Sequence, residues 1–412
     1  MVKYSYSWPI NEQINKTHIN SNEDAYKHID QKYCGRNKCR FLLPVVVGEQ
    51  ESKAQMHFRQ LAFLAGKIGR TIVLPNVHHS HMGACLSHPF SFYYDQKRWL
   101  KSTKKHFDWI TMNDFQTWIN ERQTVGAQPT GQEIYIEGSQ KSGYLYKQKN
   151  CFQSLFDFTN RPIVSYQLAD ISHPVKKDGN ITQTMMTLLS DEAREYEYLG
   201  KSDGPVDVIN LFYDRRFKFI NDPAAQVPIP YSSDLVHIAN EISSDLKSFT
   251  AVHWRMERVQ PVSNLVQCAQ DLVQRIKKLN TSNVFLLTDY PHTAGAKPES
   301  SSFHPNQLRP AHHRAIRYLY EHLNVTLTAI DRSIPYAKKN WNVVPIRTND
   351  TSTIGIIDKL VAMKAQYFFA GKPGVCAKSS SFTGTISFHR HNAVRQGDKD
   401  IIVPLETFDL PR

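Results

Sequence analysis

A chain of 412 residues with 41% hydrophobic, 21% charged and 11% aromatic content is neither a disordered tail, a fibre nor a membrane bundle. At ~100–200 residues per domain it makes two or three domains, each able to bury a core. Lysine plus arginine exceed aspartate plus glutamate by 50 to 38, a formal charge of +12, which favours anionic ligands and leaves the fold open.

Residues 1–39 are polar, rich in Asn, Lys and Tyr and aperiodic, which predicts a lead-in wrapping the surface. Cys34 and Cys39 bracket Gly-Arg-Asn-Lys, a spacing suited to a loop-closing disulfide in an oxidising compartment. Six cysteines without a Cys-x-x-Cys pair predict neither a disulfide scaffold nor a zinc ribbon. Phe41-Leu-Leu-Pro-Val-Val-Val47 is a continuous apolar run, the pattern of a buried parallel strand. Apolar residues then recur with helical spacing at Ala54, Phe58, Leu61, Ala62, Ala65 and Ile68, with Gly69 at the C-cap and a second strand over Thr71 to Pro75. Strand, helix and strand make a βαβ unit. His78, His79, His81, Cys85 and His88 follow, a set able to ligate zinc but without a standard zinc spacing.

Residues 95–200 match no clear period. The Pro-rich stretch Asp222 to Tyr231 reads as a connecting loop, which places the domain boundary between 230 and 250. Beyond it, helices are predicted over Asp234 to Leu246, Cys268 to Leu279 and Asp358 to Gln366, and strands over Phe249 to Trp254, Val284 to Leu287 and Tyr367 to Ala370. The chain is therefore α/β twice over, with domains at 1–245 and 246–412. The N-terminus lacks an apolar h-region, and no stretch approaches the ~20 apolar residues of a membrane span. Sequons at Asn15, Asn180, Asn280, Asn324 and Asn349 suit the secretory lumen, Golgi or endoplasmic reticulum, with the targeting segment outside this chain; a cytoplasmic location is the alternative.

Ligands of open parallel sheets bind beyond the carboxyl ends of the strands, so the residues just after each apolar run carry the chemistry. Glu49 and Glu51 open the first helix, where a carboxylate is either a catalytic base or an ordinary first-turn acid. His253 and Arg255 end the strand from Phe249 and share a face by alternation, so both can reach one anion, and an arginine fork suits phosphate. The plainer reading is a strand-end ion pair with Glu257. Asp289 ends the next strand and can simply cap a turn. Gly371 to Gly384 contains Ser380, Ser381, Phe382 and Thr383, a hydroxyl-rich run able to offer N–H and O–H donors to a diphosphate if a helix begins at Ser381. Asp398-Lys-Asp400, the single Asp-x-Asp, reads as solvated surface. P-loop, dinucleotide-fingerprint and Gly-x-Ser-x-Gly motifs are absent.

In this order the segments resemble the GDP-fucose protein O-fucosyltransferase superfamily. His57 to Pro75 resembles its first helix and second strand without a gap, His253-Trp254-Arg255 its His-x-Arg motif, Leu287-Thr288-Asp289 its second motif, and Asp358 through Phe369 into Ser380-Ser381-Phe382-Thr383 its third. The loop before the first helix and the His-Trp-Arg-Met-Glu version of the arginine motif look most like fungal members. The resemblance implies a GT-B fold of two Rossmann-like domains with an interdomain cleft. It also implies inverting transfer of fucose from GDP-fucose to a protein or glycan hydroxyl, with no obligatory metal. Arg255 and Glu51 are then the catalytic pair, Glu257 the second choice of base, and His253, Asp289, Asp358 and Ser380 to Thr383 hold the nucleotide sugar. Two departures stand out: Ser52-Lys53-Ala54 replaces a Gly and Asn of many relatives, and Gln366 replaces an Asp that bears on guanine. Other readings are an inactive GDP- or glycan-binding relative and a transferase for another nucleotide sugar. No reader motif or basic stripe supports nucleic acid as a partner.

Overall fold

The computed structural model describes residues 26–137, 149–167, 181–190, 205–213, 219–279, 281, 283–292, 302–330 and 341–411. Its contacts divide the chain into two units, Met1–Pro230 and Tyr231–Arg412. The predicted lead-in lies partly outside the described residues, but 26–34 form helix α1, and it is anchored rather than draped. Asp30 is fully buried: its carboxylate accepts the Trp118 indole N–H at 2.7 Å, the Arg122 guanidinium at 2.8 and 2.9 Å and the Cys39 amide at 2.8 Å. Removing Arg122 would strand the buried Asp30 charge, and the pair with its two neutral donors ties α1 to Trp118, Arg122 and Cys39.

In the first unit, β1 (Phe41–Val47) is buried along its whole length, and α2 (Glu51–Lys67) returns to β2 (Thr71–Leu74). A short antiparallel hairpin follows, β3 (Asn76–His78) and β4 (His81–Gly83). Next come α3 (Gln96–Thr103), β5 (Trp109–Thr111), α4 (Met112–Thr124), β6 (Thr130–Glu137), α5 (Lys149–Leu155), β7 (Thr159–Gln167), α6 (Ile181–Leu189) and β8 (Val208–Tyr213). The strands run β3-β4-β1-β8-β6-β7, with β2 paired to β1 and β5 paired to β2. All pairings except those of the hairpin strands are parallel. One side of α2 packs Phe58, Leu61, Ala62 and Ala65, each worth ~1–3 kcal/mol of burial for its size. Its polar side is buried too, because Gln55, Arg59 and Gln60 bond the backbone of Ile229, Gln226, Phe219 and Ile220. The Pro-rich connection is thus a cover over α2. Cys34–Cys39 forms the anticipated disulfide, and Cys85–Cys151 an unanticipated one.

The second unit reads α7 (Ser233–Leu246), β9 (Phe249–Trp254), α8 (Asn264–Ile276), β10 (Asn283–Thr288), α9 (Pro310–His322), β11 (Asn324–Ile330), β12 (Trp341–Ile346), α10 (Ser352–Lys364), β13 (Tyr367–Gly371), α11 (Ser381–Arg395) and β14 (Val403–Phe408). All six strands are parallel in the order β12-β11-β10-β9-β13-β14. The core packs Trp254, Leu265, Leu272, Leu286, Ile316 and Phe369 on one side of that sheet. Helix α10 stops two residues short of the predicted Gln366. Its last carbonyls, Ala362, Met363 and Ala365, accept the guanidinium of Arg390, which is fully buried on α11 and whose pKa burial lowers to about 10.

Candidate functional site

Chain order in the second sheet runs outward from β9 through β12 on one side and resumes with β13 on the other, so the topology reverses between β9 and β13. At such a point the loops leave in opposite directions and open a crevice at the carboxyl ends of the strands. Around it stand the turn after β9 and the 372–380 loop after β13.

That loop is held tightly. Gly371 has no room for a side chain, since a Cβ there would lie 2.7 Å from the Ala377 Cβ. The Cys268–Cys376 disulfide ties the loop to α8, the Trp254 indole donates to the Cys376 carbonyl at 2.7 Å, and the Lys378 amide donates to the Arg255 carbonyl at 3.0 Å. Ser380 then starts α11 as its N-cap, its hydroxyl accepting the Phe382 amide at 3.2 Å. A helix does begin at Ser381, which meets the condition set for a donor-rich run.

His253, next to last in β9, faces this helix start. Its Nδ1 pairs with the Thr383 hydroxyl at 2.6 Å and its ring stacks on Phe382 at 4.9 Å. Burial, then the neighbouring Arg255 charge, lowers its pKa to about 3, so the ring is neutral at working pH. Arg255 has already left the strand, which ends at Trp254, so face-sharing by strand alternation does not apply. Both residues nevertheless reach the 379–383 segment, because Arg255 Nη1 donates to the Ser379 carbonyl at 3.3 Å.

Glu257, the second choice of base, makes the ion pair of the plainer reading and grips the Arg255 guanidinium through Nε and Nη2. The carboxylate is fully buried and also accepts the Ser302 hydroxyl at 2.6 Å and the Lys378 ammonium at 3.2 Å. Burial pushes its pKa up, but Ser302, Arg255 and Lys378 outweigh that and hold it below the usual carboxylate range. Ionised and clamped, Glu257 is a positioner of Arg255 rather than a base. Asp289 sits behind the turn and spends its oxygens on the Met256 and Glu257 amides at 2.8 and 3.3 Å. Burial raises its pKa to about 6 against the pull of those amides. Its contacts are those of the turn-holding reading.

Asp358, buried on α10, accepts the Thr328 hydroxyl of β11. One residue on, the buried Lys359 donates to the Tyr231 hydroxyl at 2.9 Å and lies 5.4 Å from the Phe382 ring centre. Ser381 is exposed in the first turn of α11. Gln366 precedes β13 at the opposite strand end, where it accepts the Ser248 hydroxyl at 2.6 Å. In the first unit Glu51 is buried at the start of α2, accepting the Tyr94 hydroxyl at 2.9 Å, the Gln55 amide at 3.0 Å and the Ser52 hydroxyl at 3.3 Å. Glu49 pairs with Lys53 at 3.2 Å. Cys85 is lost to the zinc set by its disulfide.

Lys378, Ser302 and the Cys268–Cys376 bond were not foreseen as parts of the site. The lysine sat inside a noted loop, but its partners lie 76 and more positions away in sequence, a convergence only the topology creates.

In the second unit, then, a clamped guanidinium and a hydroxyl-capped helix start meet at a sheet reversal of an α/β fold. No protein-family profile matches the sequence, and no curated protein matches it. Among solved structures it is similar to the apo form of POFUT1 at a TM-score of 0.51 and 13% identity, covering 90% of this chain and 98% of that one. POFUT1 in complex with GDP-fucose gives 0.51 and 13% over 91% and 98%. The fucosyltransferase NodZ from Bradyrhizobium gives 0.38 and 13% over 85% and 92%. At this identity the likeness is one of fold, and the fold is of the GT-B type.

Proposed function

We propose that this chain is a glycosyltransferase that moves fucose from GDP-fucose to a hydroxyl of a protein or glycan acceptor with inversion. The second unit holds the nucleotide sugar, and the first supplies the acceptor side and the base. The observation that carries this reading is the meeting of Arg255, His253 and the Ser380 to Thr383 helix start at the β9/β13 reversal. The fold likeness to POFUT1 solved with GDP-fucose supports the donor assignment. In the reaction the bond from the sugar C1 to the β-phosphate oxygen breaks, and the acceptor oxygen bonds C1 from the opposite face. The acceptor proton passes to Glu51. Charge grows on the departing phosphate, where Arg255 and the N–H groups of the α11 first turn stabilise the transition state more than the ground state. Such a site needs no metal, and three disulfides together with the sequons suit the secretory lumen.

Calorimetry with GDP, GDP-fucose, GDP-mannose and UDP-glucose tests the donor: GDP and GDP-fucose are expected to bind, and a chelator to leave transfer unchanged. Glu51→Gln is expected to suppress transfer by ~100-fold or more while GDP affinity stays near the parent value. Binding of UDP-glucose in preference to GDP-fucose would sink the donor assignment, and unaltered transfer by Glu51→Gln would move the base elsewhere.

A further inference from the structure

Around the buried Glu257 carboxylate the structure gathers two cations, not one. Arg255 and Lys378 both approach the same oxygen, Oε1, and both donate to the Ser302 hydroxyl at 3.3 Å, so their heads converge on one spot. The acids of the cluster lie inward: Glu257 is fully buried, and Asp289 is bonded to backbone amides behind the turn. The cations lie outward, with 22% of the Arg255 and 29% of the Lys378 side chain reaching solvent. Counted as charges the groups balance, but counted by depth the rim is positive and its counter-charge is sealed beneath it. Two adjacent cationic donors over a buried acid suit two adjacent phosphate groups.

The geometry points to Lys378 as a second diphosphate-binding residue, acting beside Arg255, with Glu257 and Ser302 holding both heads in place. This rests on the GDP-binding reading above. Lys378 can leave its 3.2 Å contact with Glu257 for a phosphate oxygen because Ser302 and Arg255 continue to satisfy that carboxylate. A lysine is suited to this exchange, being a point charge on a flexible stem, whereas Arg255 supplies the fixed fork.

The test compares wild type, Lys378→Gln and Lys378→Arg by calorimetry against GDP, GMP and inorganic pyrophosphate. Lys378→Gln is expected to weaken GDP and pyrophosphate by ~10-fold or more, the scale of one charge-assisted hydrogen bond, and GMP by clearly less. Lys378→Arg should restore most of the loss. An equal loss for GDP and GMP would mark a purely structural lysine and overturn the inference, as would unchanged affinities. Wild type that binds neither GDP nor pyrophosphate would instead overturn the donor reading and this inference with it.

Discussion

Arg255 and Glu257 show how a buried charge pair complicates a simple deletion. Truncating Arg255 removes the proposed phosphate ligand and also takes its guanidinium away from the fully buried Glu257, which keeps Ser302 and Lys378. Breaking a fully buried pair costs about 3–5 kcal/mol, and with Lys378 still present Arg255→Ala is expected to cost about 2 kcal/mol of stability. Adding Glu257→Gln should return most of that stability and none of the GDP affinity, a split readable by denaturant midpoints and calorimetry on the four members of the cycle. Full recovery of GDP binding in the double variant would show that Arg255 does not touch the ligand. Asp289 yields a pH prediction. Its pKa of about 6 lies above the usual 3.8, so the protonated acid favours the folded chain, and that contribution fades as pH rises from about 4 through about 6. Wild type should therefore lose about 2 kcal/mol relative to Asp289→Asn between pH 4 and pH 7. A gap independent of pH would mean that Asp289 titrates normally.

Strands and helices that were legible owed it to burial. β1, β9, β10 and β13 are covered on both faces, so they read as unbroken apolar runs, and α2 and α7 kept a helical period. β6 was not legible, because its buried residues include Gln132, Glu133 and Glu137. Glu133 and Glu137 take the Tyr135 and Ser165 hydroxyls, so the strand satisfies polar groups that a hydropathy pattern counts as surface. α4 hid its face similarly, since Arg122 occupies an inward position and is paid for by Asp30. The loop after β13 was visible as glycines and serines, but what shapes it is contact. Because a Cβ at Gly371 would meet the Ala377 Cβ at 2.7 Å, Gly371→Ala must displace the segment that delivers Lys378 and Ser380. Expected are a stability loss of about 1–3 kcal/mol and a weakened GDP affinity, checked by thermal melts and titration. Normal GDP binding in a destabilised variant would show that the loop's position is not what sets donor affinity.

Two repetitions of the α/β alternation carried the architecture, and the order of strand ends carried the site, since both are linear properties of the text. What side chains do once folded is not linear: the sequence offered the Arg255–Glu257 pair only as a bland alternative to phosphate binding, whereas the folded chain uses the pair to aim the arginine. The division between Pro230 and Tyr231 leads to the last prediction. Each unit has its own buried cluster, and every disulfide closes within one unit, Cys34–Cys39 and Cys85–Cys151 in the first and Cys268–Cys376 in the second. The second unit also contains Tyr231, which receives Lys359, together with the whole Arg255 cluster. Residues 231–412 produced alone under oxidising conditions should therefore fold cooperatively, bind GDP within about 10-fold of the full chain and transfer no fucose, because Glu51 is missing. Cooperative unfolding by near-ultraviolet circular dichroism and GDP titration of the fragment decide the matter. A folded fragment that ignores GDP would place essential donor contacts in the first unit, and turnover by the fragment would remove Glu51 from the reaction.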